Sequence, residues 1–229
     1  MFKKILIANR GEIACRILRA IRDEGGLGIA IYSDADRSAP HVRLADEAHR
    51  IGPAPVAESY LDADRILAAA HRSRAEMVHP GYGFLSERAD FAEAIVDAGL
   101  TWIGPPPLAI RTMGDKVAAR SAVAGSGIPL VPGTDALPGD PAAAIAAAAA
   151  LGYPVLVKAA FGGGGKGMRL CANDAEIISA IGLARREAER AFGNPTIYLE
   201  KAIPSPRHIE IQILADRFGK VVHLGEREC

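Results

Sequence analysis

The sequence has few cysteines, no excess of either charge and no long apolar run. Cys15, Cys171 and Cys229 are widely separated and include no Cys-x-x-Cys pair, which argues against a disulfide framework and favours a reducing cytoplasm. The 27 basic and 27 acidic residues cancel, so nucleic acid and anionic membranes are not the expected partners. The apolar run after Met1 breaks at Asn9, too early for a signal peptide, and no stretch is long enough to cross a membrane.

What remains is an ordinary globular composition, 49% hydrophobic and 24% charged over 229 residues. A chain of this size can bury the core of one large domain or of two small ones. The function must therefore be sought in local motifs.

The first half of the chain alternates strand and helix signals but lacks a dinucleotide fingerprint. Short apolar runs at residues 5–8, 28–32, 77–79 and 101–103 predict strands, and amphipathic helices follow the first and third of them. This alternation predicts an α/β fold with a parallel, doubly wound sheet and helices on both faces. The first turn contains Gly11 but no Gly-x-Gly-x-x-Gly, so no dinucleotide site is predicted.

A stiff Gly-Pro-Pro-Pro segment at residues 104–107 interrupts this series. A helix is predicted from residue 108 to about 124, followed by Gly-Ser-Gly at residues 125–127. Flexible glycines between two patterned regions mark a domain boundary here.

The second half begins two helices with clear capping signals. Asp140 and Pro141 predict the start of a helix through an alanine tract, and Asn173 with Glu176 resembles a capping box. Strands are predicted at residues 153–157, 168–170, 196–199, 209–214 and 221–224.

The strand at residues 209–214 alternates, with Ile209, Ile211 and Ile213 on one face and His208, Glu210 and Gln212 on the other. The side chains on its polar face can bind a ligand. As it and the strand after it end the chain, we expect an unpaired edge and an uncovered apolar face.

The glycine run at residues 162–165, between Lys158 and Lys166, is the strongest sign of a ligand. Glycines allow successive backbone N–H groups to approach an anion, and the lysines add positive charge, so the loop favours a phosphate. No Gly-Lys-Ser or Gly-Lys-Thr follows, so this is not a Walker loop. A flexible linker is the alternative interpretation.

Five segments taken together resemble one family. They are Ile-Ala-Asn-Arg-Gly-Glu-Ile-Ala at 7–14, His-Pro-Gly-Tyr-Gly-Phe-Leu-Ser-Glu at 79–87, Met-Gly-Asp-Lys at 113–116, the glycine loop, and Pro-Arg-His-Ile-Glu-Ile-Gln at 206–212. In this order they resemble the biotin carboxylase component of biotin-dependent carboxylases, within the ATP-grasp superfamily. The resemblance runs from near Met1 to Cys229. Several segments are shared with pyruvate and acyl-CoA carboxylases, and some with carbamoyl phosphate synthetases.

The resemblance implies a Rossmann-like parallel-sheet domain at residues 1–113, which does not itself hold the nucleotide. A linker helix at 114–127, an ATP-grasp lid subdomain at 128–203 and the start of an incomplete ATP-grasp base at 204–229 follow. This explains the missing dinucleotide fingerprint.

The resemblance also implies a set of nucleotide-binding residues. Lys116 and Lys158 contact the ATP phosphates, and Gly164 and Gly165 close over them. The segment Glu200, Lys201, Ala202 and Ile203 holds adenine, and His208 makes a further nucleotide contact. His79, Glu87 and Glu210 are weaker candidates, as residues near the cleft.

The implied reaction uses ATP, with Mg²⁺ or Mn²⁺, to activate bicarbonate as carboxyphosphate, and carbon dioxide then passes to biotin on a carrier. The family's metal-binding glutamates and catalytic residues lie beyond Cys229, so no catalytic or metal residue is predicted within the chain. The implied partners are a biotin carboxyl carrier, a carboxyltransferase and a second copy of the enzyme, whose interface includes the helix that bears Arg19 and Asp23.

Three interpretations stay open. The chain is a piece of a biotin carboxylase and inactive alone, a natural short ATP-binding or regulatory module that pairs with another chain, or an allied ATP-grasp ligase with a different acceptor. The reading frame after Cys229 distinguishes the first two. The final carboxyl acceptor is not predicted.

Overall fold

A computed structural model describes residues 3–161 and 168–228 of the chain. The chain divides into two compact units, Met1–Val123 and Ala124–Cys229, and each has its own core. The finer boundaries at residues 113, 127 and 203 stay predictions. In the part of the chain that the structure describes, no helix combines the length and apolarity that a membrane span requires.

The first unit is built on a five-stranded sheet in which all neighbouring strands are parallel. Its order is β3-β2-β1-β4-β5. The strands are β1 (Lys4–Ile7), β2 (Leu27–Ser33), β3 (Glu47–Gly52), β4 (Met77–His79) and β5 (Thr101–Trp102).

Helices cover both faces of this sheet, as the alternating pattern predicts. They are α1 (Gly11–Asp23), α2 (Pro40–Leu44), α3 (Ala63–Ser73), α4 (Ala89–Asp97), α5 (Pro107–Gly114) and α6 (Lys116–Val123). Ile7 of β1 packs with buried residues of α1, whereas its neighbour Leu6 faces the larger core formed with α3, α4 and α5. This alternation along β1 confirms the doubly wound arrangement.

Two features of the first unit depart from the predictions. Helix α2, strand β3 and helix α3 were not predicted. Strand β3 was missed because it begins with the polar sequence Glu-Ala-His-Arg and buries only its last two residues. The single helix predicted from residue 108 to about 124 is wrong: α5 ends at Gly114 and α6 begins at Lys116. Asp115 separates them with an extended backbone, and its carboxylate accepts hydrogen bonds from the N–H groups of Val117 and Ala118 at 2.9 and 3.2 Å. An aspartate that caps the second helix in this way favours a break over continuation.

The second unit contains a three-stranded antiparallel sheet with two helices on one face. The strands, in spatial order, are β7 (Arg169–Cys171), β6 (Val155–Ala159) and β8 (Ile197–Lys201), and the helices are α7 (Pro141–Leu151) and α8 (Asp174–Phe192). Both predicted helix starts are confirmed. Asp140 accepts from Ala142 N at 3.0 Å, and Asn173 and Glu176 exchange hydrogen bonds.

A separate hairpin ends the described chain. It pairs β9 (Ile209–Ala215) with β10 (Val221–Glu228), which is longer than the strand predicted at 221–224. Ile209, Ile211 and Ile213 are 46%, 52% and 52% exposed. The apolar face of the hairpin is therefore uncovered among the described residues, as the sequence predicts.

Candidate functional site

Among the described residues of the second unit, both helices pack on the same face of its sheet. Val155 and Val157 of β6 are fully buried in the core with α7 and α8. Because side chains alternate along a strand, Leu156 and Lys158 lie on the opposite face. Leu156 pairs with Leu170 of β7, which is 62% exposed. This second face, on which no described helix packs and which we call the open face, combines Leu156 and Leu170 with a lysine.

Lys158 has two neighbours on the adjacent strand β8. It lies opposite Tyr198 in the register, and its Nζ is 5.8 Å from the centroid of that ring. Glu200 is two residues further along the same face, and its Oε1 accepts a hydrogen bond from Lys158 Nζ at 2.6 Å. The two side chains are 23% and 16% exposed. The ammonium of Lys158 therefore lies at the margin of solvent, next to a carboxylate and an aromatic ring.

The side chain of Lys201 has a structural role. Its Nζ donates to the carbonyl oxygens of Gly152 and Tyr153 at 2.7 and 2.9 Å, just where α7 ends. Its backbone N–H donates to Pro132 O at 2.8 Å, and that of Ala202 donates to Pro154 O at 3.1 Å. The ammonium of Lys201 is thus committed to the fold, and contact of residues 200–203 with adenine stays a prediction.

The remaining predicted residues are spread over the chain. Lys116 is the half-buried first residue of α6 in the first unit, and His208 is exposed just before β9. Gly164 and Gly165 lie outside the described residues. Glu210 forms an ion pair with Arg227 across the hairpin. Of the predicted set, the structure brings Lys158 and Glu200 together.

Sequence reasoning missed Tyr198 as part of this cluster. Its ring is 1% exposed, and its hydroxyl is 3.5 Å from Glu200 Oε2. The predicted strand at 196–199 included Tyr198 but stopped one residue before Glu200, whereas β8 includes both and so places them on the same face.

Within the first unit, the first two motifs meet where β1 and β4 end. Asn9 Nδ2 donates to the carbonyl oxygens of Pro80 and Tyr82, both at 2.8 Å. Gly81 has a φ of +67°, and a Cβ there would lie 2.7 Å from Asn9 Nδ2, so this position requires glycine. His79 Nδ1 accepts from Gly81 N at 3.0 Å, and burial lowers the pKa of His79. These residues lie at the switch point, between β1 and β4, at which doubly wound sheets bind ligands.

A charged cluster lies beside that point. Arg10 Cζ lies 5.3 Å from the ring centroid of Tyr60 and 5.6 Å from that of Phe84. Asp36 Oδ2 accepts hydrogen bonds from Arg10, Tyr60 and Ser33 at 3.1, 2.8 and 3.0 Å. Burial raises the pKa of Asp36, but the hydrogen bonds from Tyr60, Arg10 and Ser33 outweigh it, so the net pKa is lowered. Burial also raises the pKa of Tyr60. The first two motifs therefore stabilise the fold of this unit.

The second unit suits a nucleotide better than the first. Its open face offers an ammonium for phosphate beside apolar side chains for a flat base, which fits ATP. Across the described residues, no group of three or more histidine, cysteine, aspartate or glutamate side chains is arranged to hold a metal ion.

Two family models match adjoining parts of the chain. The model described as biotin carboxylase, N-terminal domain, matches residues 1–110. The model described as carbamoyl-phosphate synthase L chain, ATP binding domain, matches residues 115–229, about half of the chain. The first match ends within α5, and the second begins at residue 115, between α5 and α6.

Similar proteins match over the whole chain. A biotin carboxylase of Pseudomonas aeruginosa is 53% identical over 230 residues, covering 100% of this chain and 51% of the relative. A biotin carboxylase–β,γ-ATP complex from Campylobacter jejuni has a TM-score of 0.96 at 45% identity, covering 100% of this chain and 51% of that one. The biotin carboxylase domain dimer of the Hydrogenobacter thermophilus 2-oxoglutarate carboxylase, in complex with MgADP, ADP and bicarbonate, has a TM-score of 0.94 at 47% identity, covering 100% and 50%.

The chain spans about half the length of these two biotin carboxylases and of the carboxylase domain. Its parallel-sheet unit and its second unit correspond to the Rossmann-like domain and the first part of the ATP-grasp domain. The matched models and the identity across all the described elements show that this chain belongs to the biotin carboxylase family.

Proposed function

We propose that these residues supply the nucleotide-binding lid of a biotin carboxylase, which uses ATP and bicarbonate to carboxylate biotin on a carrier through carboxyphosphate. The observation that carries the proposal is the half-buried ammonium of Lys158 on the one helix-free face of the lid sheet. The relatives support the choice of nucleotide, since one is a complex with β,γ-ATP and another with MgADP and bicarbonate.

In this proposal Lys158 binds and orients the phosphates. An ammonium about 4 Å from a phosphate charge gains on the order of 4 kcal/mol at an effective dielectric constant near 20, before desolvation is subtracted. Phosphoryl transfer depends mainly on positioning and charge neutralisation, so a lysine contributes without acting as a nucleophile. Lys116, Gly164, Gly165, His208 and the adenine segment 200–203 are proposed as the other nucleotide contacts. A bound Mg²⁺ or Mn²⁺ would neutralise phosphate charge further.

The proposal extends to partners and compartment. The dimeric carboxylase domain among the relatives supports a homodimer, and α1, which bears Arg19 and Asp23, is proposed as part of that interface. A biotin carboxyl carrier and a carboxyltransferase complete the proposed assembly. The scattered cysteines support a cytoplasmic location.

The binding proposal is tested by titrating the ¹⁵N-labelled chain of 24.0 kDa with ATP and magnesium. We expect shifts of the amide resonances of β6, β8 and residues 201–203. A shift map centred on the carboxyl ends of β1 to β3 would contradict the assignment of the site. So would a chain that binds no ATP at millimolar concentration.

The catalytic proposal makes a separate prediction. With magnesium, bicarbonate and free biotin, the 229-residue chain should show no bicarbonate-stimulated ATP hydrolysis, because the proposed catalytic groups lie outside it. Release of inorganic phosphate measures this directly. Turnover above the rate without bicarbonate would show that catalytic groups are present among these residues.

A further inference from the structure

Lys158 has a carboxylate partner in this structure. Its Nζ lies 2.6 Å from Glu200 Oε1, a short distance for a charge-assisted hydrogen bond. Both side chains are largely withdrawn from solvent, at 23% and 16% exposure, so water screens the pair less than it would a surface pair. A phosphate that takes Lys158 must therefore displace or share this partner.

The sheet fixes where the carboxylate stays when a ligand arrives. Lys158 faces Tyr198 and Leu156 faces Glu200 in the β6–β8 register, so the carboxylate lies diagonally across from the ammonium on the same face. The buried Tyr198 ring lies beside the ammonium, and its hydroxyl is 3.5 Å from Glu200 Oε2. The negative charge of Glu200 thus remains near any anion bound at Lys158.

We propose that Glu200 is a positioning residue that holds Lys158 before the nucleotide binds and competes with the phosphates for it. This rests on the proposed function of the site. A phosphate group at Lys158 must take the ammonium from this carboxylate and meet its repulsion, so Glu200 lowers the affinity of the site for phosphate groups.

A purely structural role for Glu200 predicts the opposite result when the residue is changed. The sheet is held by its backbone ladder and by the core on its other face, where Val157 and Leu199 are fully buried. If Glu200 competes with the ligand for Lys158, neutralising its carboxylate makes Lys158 more available and removes a repulsive charge, so the affinity for anions rises. If Glu200 only supports the structure of the site, changing it lowers the affinity for anions.

The test is calorimetric titration of the 229-residue chain with inorganic tripolyphosphate. We expect Glu200→Gln to tighten binding about tenfold and Glu200→Asp, which keeps the charge, to stay within threefold of the unchanged chain. Glu187→Gln is the matched control, because Glu187 also pairs with a basic strand residue of this unit, Arg169, at 2.6 Å. It should change affinity less than twofold.

The double variant Lys158→Met/Glu200→Gln shows whether the gain passes through the lysine. We expect it to lose the tenfold gain. Circular dichroism melts verify folding, and if Glu200→Gln does not fold, Glu200→Ala on the same open face is expected to give the same tightening.

A parallel titration with ATP separates this inference from the proposed function. Unchanged or weaker tripolyphosphate binding by Glu200→Gln overturns the inference, even where ATP binds. A tenfold gain in tripolyphosphate affinity supports the inference about Glu200, whatever the affinity for ATP. If ATP binds no more tightly than tripolyphosphate, that result counts against nucleotide recognition, which is the proposed function. Retention of the gain in the double variant also overturns the inference about Glu200.

Discussion

Each unit of this chain holds a cation against a carboxylate and an aromatic ring, but the two arrangements differ in how firmly the cation is held. In the first unit, Arg10 pairs with Asp36 and lies near two aromatic rings, Tyr60 and Phe84, whose centroids are 5.2 Å apart in a stacked pair. In the second, Lys158 pairs with Glu200 beside one ring. The surroundings of the carboxylate account for much of the difference.

Asp36 Oδ2 accepts hydrogen bonds from Arg10, Tyr60 and Ser33. If the Arg10 guanidinium moved away, this partly buried carboxylate would lose its counter-ion, which is energetically costly. Arginine suits this permanent role, since its planar guanidinium is weakly hydrated and stacks on aromatic rings. Lysine suits exchange, because its ammonium is a compact charge on a flexible stem. The same three chemical components thus stabilise the fold in one unit and form the proposed binding site in the other.

The largest expected effect is on ligand binding in the second unit. Lys158→Met should weaken ATP binding about 30-fold, equal to about 2 kcal/mol, because it removes a charge that contacts phosphate. Stability should also fall, by about 1 kcal/mol, because the Glu200 carboxylate, 16% exposed, loses its ion pair with Lys158. Calorimetry with ATP measures the first effect and circular dichroism the second.

Arg10→Met is the matched change in the first unit. It should leave ATP affinity within twofold, because we place the nucleotide at Lys158. Equal losses of affinity in the two variants would remove the distinction between the two cation sites.

The next effect is on stability in the first unit. Arg10→Met should lower the free energy of unfolding by about 1.5 kcal/mol, because it leaves the Asp36 carboxylate without its counter-ion and removes the contacts with two rings. Trp102, the single tryptophan of the chain, is buried in this unit, so its fluorescence follows the unfolding. A loss below 0.5 kcal/mol would show that the pair contributes no more than an exposed surface pair.

The same cluster predicts a pH dependence. The folded-state pKa of Asp36 is lowered from 3.8, so its stabilising contribution is complete above about pH 4 and is lost as the pH falls through the folded-state pKa. Asp36→Asn should therefore be less stable than the unchanged chain at pH 7, and the difference should narrow as the pH falls below 3.8. Urea unfolding followed by Trp102 fluorescence across this pH range measures the difference. A difference that stays constant with pH would contradict the ionised state of Asp36.

Local signals in the sequence predicted part of this architecture well. Asp140 and Asn173 start their helices as predicted, because a cap depends on residues two or three positions away. The parallel sheet followed from the alternation of strand and helix signals. The break at Asp115 was missed, because the carboxylate can cap a new helix within a stretch that otherwise has helical periodicity.

The sequence analysis named residues of the proposed site but did not predict how they contact one another. The family resemblance named Lys158 and Glu200, but their hydrogen bond joins residues 42 positions apart, and it depends on the β6–β8 register. Neither propensity nor periodicity contains that register. The structural role of the Lys201 side chain was missed for the same reason, since its acceptors are 48 and 49 positions away.

The smallest expected effect is that of changing Lys201, whose side chain we expect to support folding and not nucleotide binding. Lys201→Met removes two charge-assisted hydrogen bonds to the half-buried carbonyls of Gly152 and Tyr153, so we expect a loss of about 1 kcal/mol in the stability of the second unit. Circular dichroism should register this loss while Trp102 fluorescence does not. Lys220→Met, at an exposed lysine of the same unit, is the control and should change stability by less than 0.5 kcal/mol. If Lys201→Met instead weakens ATP binding as much as Lys158→Met and leaves the melt unchanged, its ammonium leaves the carbonyls to bind ligand, and both lysines of this sheet are exchangeable cations.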